Sequence, residues 1–348
     1  MTETRFFDLS VKNLQANFSH IYLEKDAVGY ELTDLLLDKY PNSKVIEIGH
    51  YKDIFNRKGQ DFQSQKSSMN LILAKKKEPF LYPASDMVQE FKTPHTYYNT
   101  PILNCLYNCE YCFLQGMYPS GNIVIFVNEN DLMNSIKIKL KKLNLSLGPM
   151  IVSISYNTDL MAMERIIPMA SRWIEFCKEQ DNLKIEIRTK SALFSSIKNI
   201  RSSKNIILSW TISPEIICNK YESTAPPLNS RVDSIKKAMD AGWPVRLCFD
   251  PVILVDDWYK IYTQFFEQIF EVLDHQKLHD ITLGVFRMNK DYFNNVRKRE
   301  TRSDLYYLDY VNEDSTITIK KEKREKALAC LKDEISKYIP KEKILVWI

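Results

Sequence analysis

Three cysteines, Cys105, Cys109 and Cys112, lie in the run "NCLYNCEYCFLQG", with Tyr111 directly before the last of them. Their C-x3-C-x2-C spacing lets one short loop present three thiolates to three corners of a cube. A [4Fe–4S] cluster held in this way keeps one iron without a protein ligand, open to a small molecule. Two plainer readings compete. A structural zinc site would need a fourth ligand, for which His95 is the candidate, but zinc favours C-x2-C pairs in two knuckles and the chain has no second pair. A set of unrelated buried thiols would have to gather three of the chain's seven cysteines by chance.

These thiols need elements to position them. From Gly121 onward, short β-branched runs alternate with amphipathic stretches. The strand candidates are "NIVIFV" (Asn122–Val127), "MIVSIS" (Met150–Ser155), "KIEIRT" (Lys184–Thr189), "NIILSW" (Asn205–Trp210), "PVRLCF" (Pro244–Phe249) and "ITLGVF" (Ile281–Phe286). They read as strands covered on both faces. Helices are predicted over Asn130–Lys142, Leu160–Glu179, Ser191–Arg201, Ser230–Ala241 and Trp258–His275, with Asn128 and Asn130 as caps of the first. Repeated β–α units predict an α/β fold with a parallel sheet, a partial (β/α)6-type TIM barrel. Residues 1–95 read as a small N-terminal mixed α/β subdomain and entry segment, with a polar loop at Asn56–Ser68. Residues 96–290 read as the barrel and 291–348 as a C-terminal extension of helix and hairpin, whose last strand candidate, "KILVWI", would close an edge or cover the sheet. Working groups belong at the C-terminal ends of such strands. There the sequence places Tyr156 to Asp159, Thr189 and Lys190, Ser209 to Thr211, Asp250 and Arg287.

The chain has 348 residues, 45% hydrophobic and 26% charged, an ordinary globular composition. No apolar run approaches the roughly 20 residues that span a bilayer. The first residues, "MTETRFFDLSVKN", lack the basic and apolar regions of a secretory signal. A cytoplasmic, reducing location and no membrane partner are therefore expected, and clustered cysteines there favour metal or catalysis over disulfides. A net charge of +4 is too small to identify a nucleic-acid partner. The basic runs Lys75–Lys77, Arg297–Arg302 and Lys320–Arg324 permit phosphate contact without requiring it.

The cysteine motif, with its aromatic before the third cysteine, resembles the radical S-adenosylmethionine superfamily. In that superfamily the methionine end of the cofactor binds the open iron, and an electron splits the sulfonium bond to release a 5′-deoxyadenosyl radical. The resemblance narrows to spore photoproduct lyase and its homologues. It is carried by "CEYCFLQG", "ISYNTDL", "IEIRTKSAL", "ILSWTIS", "PPLNSRVDSIKKAMDAGWPVRLCFDPVI", Trp258 and "LHDITLGVFR", in that order from about Leu103 to Arg287. Those enzymes reverse a thymine-dimer type photoproduct in DNA. The resemblance implies a lyase with a [4Fe–4S] cluster on Cys105, Cys109 and Cys112 and S-adenosyl-L-methionine as cofactor. Tyr111 would flank the adenine, while Thr158, Lys190 and Ser209 would bind the methionine part. DNA would be the substrate, and flavodoxin or ferredoxin the kind of electron donor.

Two positions depart from that pattern. Tyr156 stands where the repair enzymes carry a hydrogen-returning cysteine, and Phe113 where they carry a second tyrosine. A phenol O–H can donate a hydrogen atom, which makes Tyr156 the candidate donor and Cys248 the second. The departures open an alternative: the same radical chemistry on RNA, a peptide or a metabolite. A further alternative, from another class, is a non-catalytic metal-cluster binding protein.

Overall fold

The computed structural model describes residues 18–84, 93–300 and 302–347, so the N-terminal stretch read for a signal lies outside them. In chain order the strands are β1 (His20–Glu24), β2 (Lys44–Ile48), β3 (Leu71–Ala74), β4 (Leu81–Pro83), β5 (Thr96–Asn99), β6 (Ile102–Leu103), β7 (Ile123–Phe126) and β8 (Met150–Ser153). They continue with β9 (Leu183–Thr189), β10 (Ile206–Thr211), β11 (Val245–Val252), β12 (Asp280–Val285), β13 (Arg287–Asn289), β14 (Tyr310–Glu313), β15 (Thr316–Ile319) and β16 (Ile344–Trp347).

Among the described residues three sheets result. An eight-stranded sheet runs β16-β12-β11-β10-β9-β8-β5-β4, and a five-stranded one runs β2-β1-β3-β7-β6. In the larger sheet only β4 is antiparallel to its neighbour. In the smaller sheet β6 is the antiparallel member. A three-stranded antiparallel sheet, β13-β15-β14, lies in the C-terminal part of the chain. The fold is mixed α/β with parallel sheets, as expected. Among the described residues the larger sheet is open, with β16 and β4 at its edges and no closed barrel.

Local sequence predicted strands better than it predicted their partners. "NIVIFV" forms β7 but pairs with β3, so it belongs to the smaller sheet and not to the larger one. Its place beside β8 is taken by β5. The predicted Leu160–Glu179 helix is two helices, Leu160–Met163 and Met169–Lys178, broken before Pro168, whose ring cannot continue a helix. Ser191–Arg201 holds only a 3-10 turn at Phe194–Ser196, because Ser191 Oγ and Thr189 Oγ1 take the backbone N–H groups of Leu193 and Ser191. Asn128 does precede the helix Glu129–Leu140, but its amide holds the Lys76 backbone instead of the helix end. The polar segment read as a loop contains the helix Phe62–Ser67, capped by Asp61.

The strands of the larger sheet are not apolar on both faces. In β9, Ile185 and Ile187 enter the main core. Glu186 and Arg188 alternate with them onto the other face, where they line a cavity. There Glu186 accepts hydrogen bonds from Arg188 at 3.3 Å and from Arg246 at 3.2 Å, and Arg246 also pairs with Asp280. Helices cover one face of this sheet and a charged cavity floor occupies the other.

Candidate functional site

The cysteine loop leaves β6 through Asn104, whose φ of 73° lies in the left-handed region that asparagine tolerates. Its buried side chain accepts from Cys105 N and donates to the carbonyls of Ser120 and Asn122, which fixes where the loop begins. Within the loop, Cys112 N donates to Cys109 O, and Gln115 Nε2 donates to the same carbonyl. Outside it, Glu110 N donates to Tyr221 O at 2.8 Å. Cys105, Cys109 and Cys112 all line one cavity of about 490 Å3. Burial pushes the Cys105 thiol up to about 12 and raises Cys109 and Cys112 as well, so thiolates here call for a compensating cation.

Three cysteines are the right donor set for a cubane that takes one thiolate on each of three irons. Among the described residues no group of three or more His, Cys, Asp or Glu side chains converges as the cage of a single ion. His95, the candidate fourth zinc ligand, bonds Asn144 O through Nε2 at 2.8 Å and does not line the cavity. The residues fit a cluster better than they fit zinc.

Facing the loop are the C-terminal ends of β8 to β11. Thr158 lines the cavity, and its Oγ1 is buried with no hydrogen-bond partner among the described residues. A buried hydroxyl of this kind is one that a bound polar group would satisfy. Lys190 also lines the cavity, its Nζ 5.1 Å from the Tyr111 ring centroid. Burial opposes the Lys190 charge, but Cys109 and Glu222 outweigh it and raise its proton affinity above the ordinary value. Tyr111 is held in turn: its hydroxyl donates to Glu222, which pairs with buried Arg231 at 2.5 Å.

Asp159 ties these groups together. Its carboxylate accepts from Thr189 Oγ1 at 2.7 Å, from Lys190 N at 2.7 Å and from Ala162 N at 3.0 Å. It therefore locks the end of β9 to the turn that carries Thr158.

Tyr156 stands in an aromatic wall. Its ring centroid is 4.4 Å from that of Tyr98 and 5.7 Å from that of Phe113. Tyr98 stacks on Tyr82 at 5.0 Å, and Tyr292 lines the cavity nearby.

Ser209 is the sequence candidate that does not line the cavity. It lies on the cavity-facing side of β10 but is fully buried below the floor, against Glu186. Thr211, two residues further along the same face, lines the cavity instead. Cys248 is also below the floor, among Arg188, Glu186 and Arg246, and does not line the cavity. Arg287 and Asp250 both line it, but as a bidentate pair at 2.9 and 3.1 Å, so Arg287 does not reach outward from the hairpin. Of the basic run, Arg299 is turned inward onto the carbonyls of Gln115 and Tyr118.

Sequence reasoning missed Asn104, Glu222 and Lys66 as supports of the site, and it placed Asp159 at a strand end without giving it a role. Arg188 had a signal, the alternation of charged and apolar residues in "KIEIRTK".

The sequence profile of the spore photoproduct lyase family matches residues 17–344. The spore photoproduct lyase of Bacillus subtilis (strain 168) is 20% identical over 273 residues, covering 77% of each chain. That of Clostridium acetobutylicum is 21% identical over 272 residues, covering 75% of this chain and 76% of its own. Solved structures of spore photoproduct lyase variants share the fold. One superposes with a TM-score of 0.81 at 17% identity, covering 94% of this chain and 97% of the other. Another, with bound AdoMet and dinucleoside spore photoproduct, superposes with a TM-score of 0.80 at 17% identity over the same shares.

Proposed function

Because the chain belongs to the spore photoproduct lyase family, we propose that it is a radical S-adenosylmethionine lyase acting on a thymine photoproduct in DNA. The observation that carries this reading is that one cavity collects the three cysteines, the unpartnered Thr158 hydroxyl, Lys190 and an aromatic wall. Cys105, Cys109 and Cys112 would hold a [4Fe–4S] cluster. When bound, that cluster and S-adenosylmethionine would together supply the reductive cleavage that abstracts hydrogen from the substrate.

The chain's own residues do the rest. Lys190, a charged ammonium beside the cysteine loop, suits the methionine carboxylate. Thr158 Oγ1 offers a buried donor and acceptor, and Thr211 takes over at β10 the role expected of Ser209. Tyr111, fixed by Glu222, presents a ring face at the same end. Tyr98, Tyr156, Phe113 and Tyr292 exclude water and offer flat surfaces on which a base can stack. Tyr156 is the proposed hydrogen donor. The eight-stranded sheet is proposed as the partial barrel, since these groups gather at the C-terminal ends of its strands.

A second reading keeps the cofactor chemistry and changes the substrate to RNA, a peptide or a metabolite. It is favoured by the cavity lining, in which, among the described residues, the cysteines are the three of the loop, Cys248 being below the floor. Anaerobic reconstitution with iron and sulfide, followed by incubation with dithionite, S-adenosylmethionine and dinucleoside spore photoproduct, separates the two. Release of 5′-deoxyadenosine together with repaired dithymidine supports lesion repair. Cofactor cleavage without repair rejects the DNA substrate, and no cleavage at all rejects the enzyme. Cys109→Ala should abolish cleavage, and retained cleavage would contradict the ligand assignment.

A further inference from the structure

The helix Phe62–Ser67 comes from the N-terminal part of the chain yet grips the cysteine loop through three polar side chains. Gln63 Oε1 accepts from Asn108 Nδ2 at 2.8 Å. Gln65 Oε1 accepts from Gly121 N at 2.8 Å and Ser120 Oγ at 2.9 Å, at the far end of the loop. Lys66 Nζ donates to Cys105 O and, at 3.3 Å, to Tyr107 O. The approach is close enough to require glycine at 121, where a Cβ would stand 2.7 Å from Phe62 O and 2.9 Å from Lys66 N. Lys66 is only 7% exposed. A lysine ammonium is expensive to bury, and nature retains one where anionic or carbonyl partners surround it. Its hydrogen-bond partners are both carbonyls of the cysteine loop. Burial lowers its proton affinity, and the three cysteines stand near enough to oppose that shift.

We propose that Lys66 is a positioning residue for the cysteine loop, and that its buried ammonium raises the reduction potential of the cluster held there. The inference rests on the cluster assignment in the proposed function. A [4Fe–4S]2+ cluster with three thiolates carries a net negative charge, and accepting one electron adds another. A fixed cation within a low-dielectric interior stabilises the more negative state most. Lys66 would thereby make one-electron reduction of a bound cluster by an external donor easier, while Gln63 and Gln65 hold the loop that carries its ligands.

The test is a redox titration with dithionite of reconstituted full-length wild type, Lys66→Met and Lys66→Arg, read by electron paramagnetic resonance. Removing the charge is expected to lower the equilibrium constant for reduction about tenfold, which is about 59 mV more negative for one electron. Lys66→Arg should restore the wild-type value. A loaded Lys66→Met protein with the wild-type potential overturns the proposal. Should Lys66→Met not take up a cluster, Lys66→Arg decides: loading with the wild-type potential supports the role of charge, and failure to load overturns it. Hydrogen exchange of the metal-free proteins reads the grip separately, with faster exchange of amides 105–118 expected in Lys66→Met and unchanged exchange overturning the positioning role. Wild-type protein that binds no iron sinks the proposed function, and the exchange result still decides whether the helix holds the loop.

Discussion

Replacing Asp159 by alanine tests how the strand ends are held. The side chain serves three buried donors, Ala162 N, Thr189 Oγ1 and Lys190 N, at 3.0, 2.7 and 2.7 Å. Each donor left unsatisfied in the interior costs about 1–3 kcal/mol, and the helix cap is part of that sum. Against this, removing the carboxylate relieves its own burial, which raises its proton affinity in spite of the three donors. A net loss of about 3 kcal/mol is expected, a large fraction of the 5–15 kcal/mol of a typical domain. Asp159→Asn keeps one acceptor oxygen but turns an NH2 toward a donor, so it should fall between. The functional consequence follows from position: Thr158 precedes Asp159, and Lys190 hangs from it by its backbone. S-adenosylmethionine affinity should fall about tenfold or more, since about 1.4 kcal/mol of misplacement suffices. Urea unfolding reads the first effect, and equilibrium binding to cluster-loaded protein reads the second. Weakened stability with full affinity would refute the positioning role, and unchanged stability would refute the hydrogen-bond accounting itself.

Tyr156→Phe removes the phenol hydroxyl and keeps the ring against Tyr98 and Phe113. Cofactor cleavage should continue while the product mixture shifts toward unrepaired adducts, and an unchanged chromatogram would remove Tyr156 from the hydrogen return. Arg231→Leu leaves Glu222 as a buried carboxylate without its guanidinium and should cost about 3–5 kcal/mol. Adding Glu222→Gln should recover part of it, and equal losses in the single and double variants would argue against the coupling. Acid should unfold the protein through the same kind of pair. Burial would raise Asp250, Glu186 and Glu222, but Arg287, Arg188 with Arg246, and Arg231 respectively outweigh it and hold each below its ordinary value. Because the folded state favours the ionised forms, this stability is complete above the unfolded values of about 4 and is lost as pH falls through the lowered folded ones. Denaturant midpoints measured from pH 7 to pH 2 should drop steeply only below about pH 4, and a flat profile there would contradict the burial of these pairs.

Chemistry that resides in a few neighbouring residues was legible in the chain alone. The cysteine spacing, Tyr111 between the second and third thiols, and the Thr158 and Lys190 positions after strands are local facts, and all of them line the cavity. Strand candidates were legible for the same reason, since β-branched runs between turn residues depend on near neighbours. Pairing is not local. "NIVIFV" is a strand by composition, but nothing within it distinguishes a place beside β3 from one beside β8. Which of Ser209 and Thr211 reaches the cavity depends on how deep each lies in an assembled sheet, because both share a face.

The support of the site is the least local feature. Tyr111 meets Glu222 across 111 residues, and Lys66 meets Cys105 across 39. A lysine in a polar segment has the appearance of a solvated surface residue until the fold removes its water. The sequence by itself determined which atoms could bind a cluster and where strands would form. The tertiary structure decided which charges are buried beside those atoms, because desolvation and long-range contact exist only once the chain has closed around them.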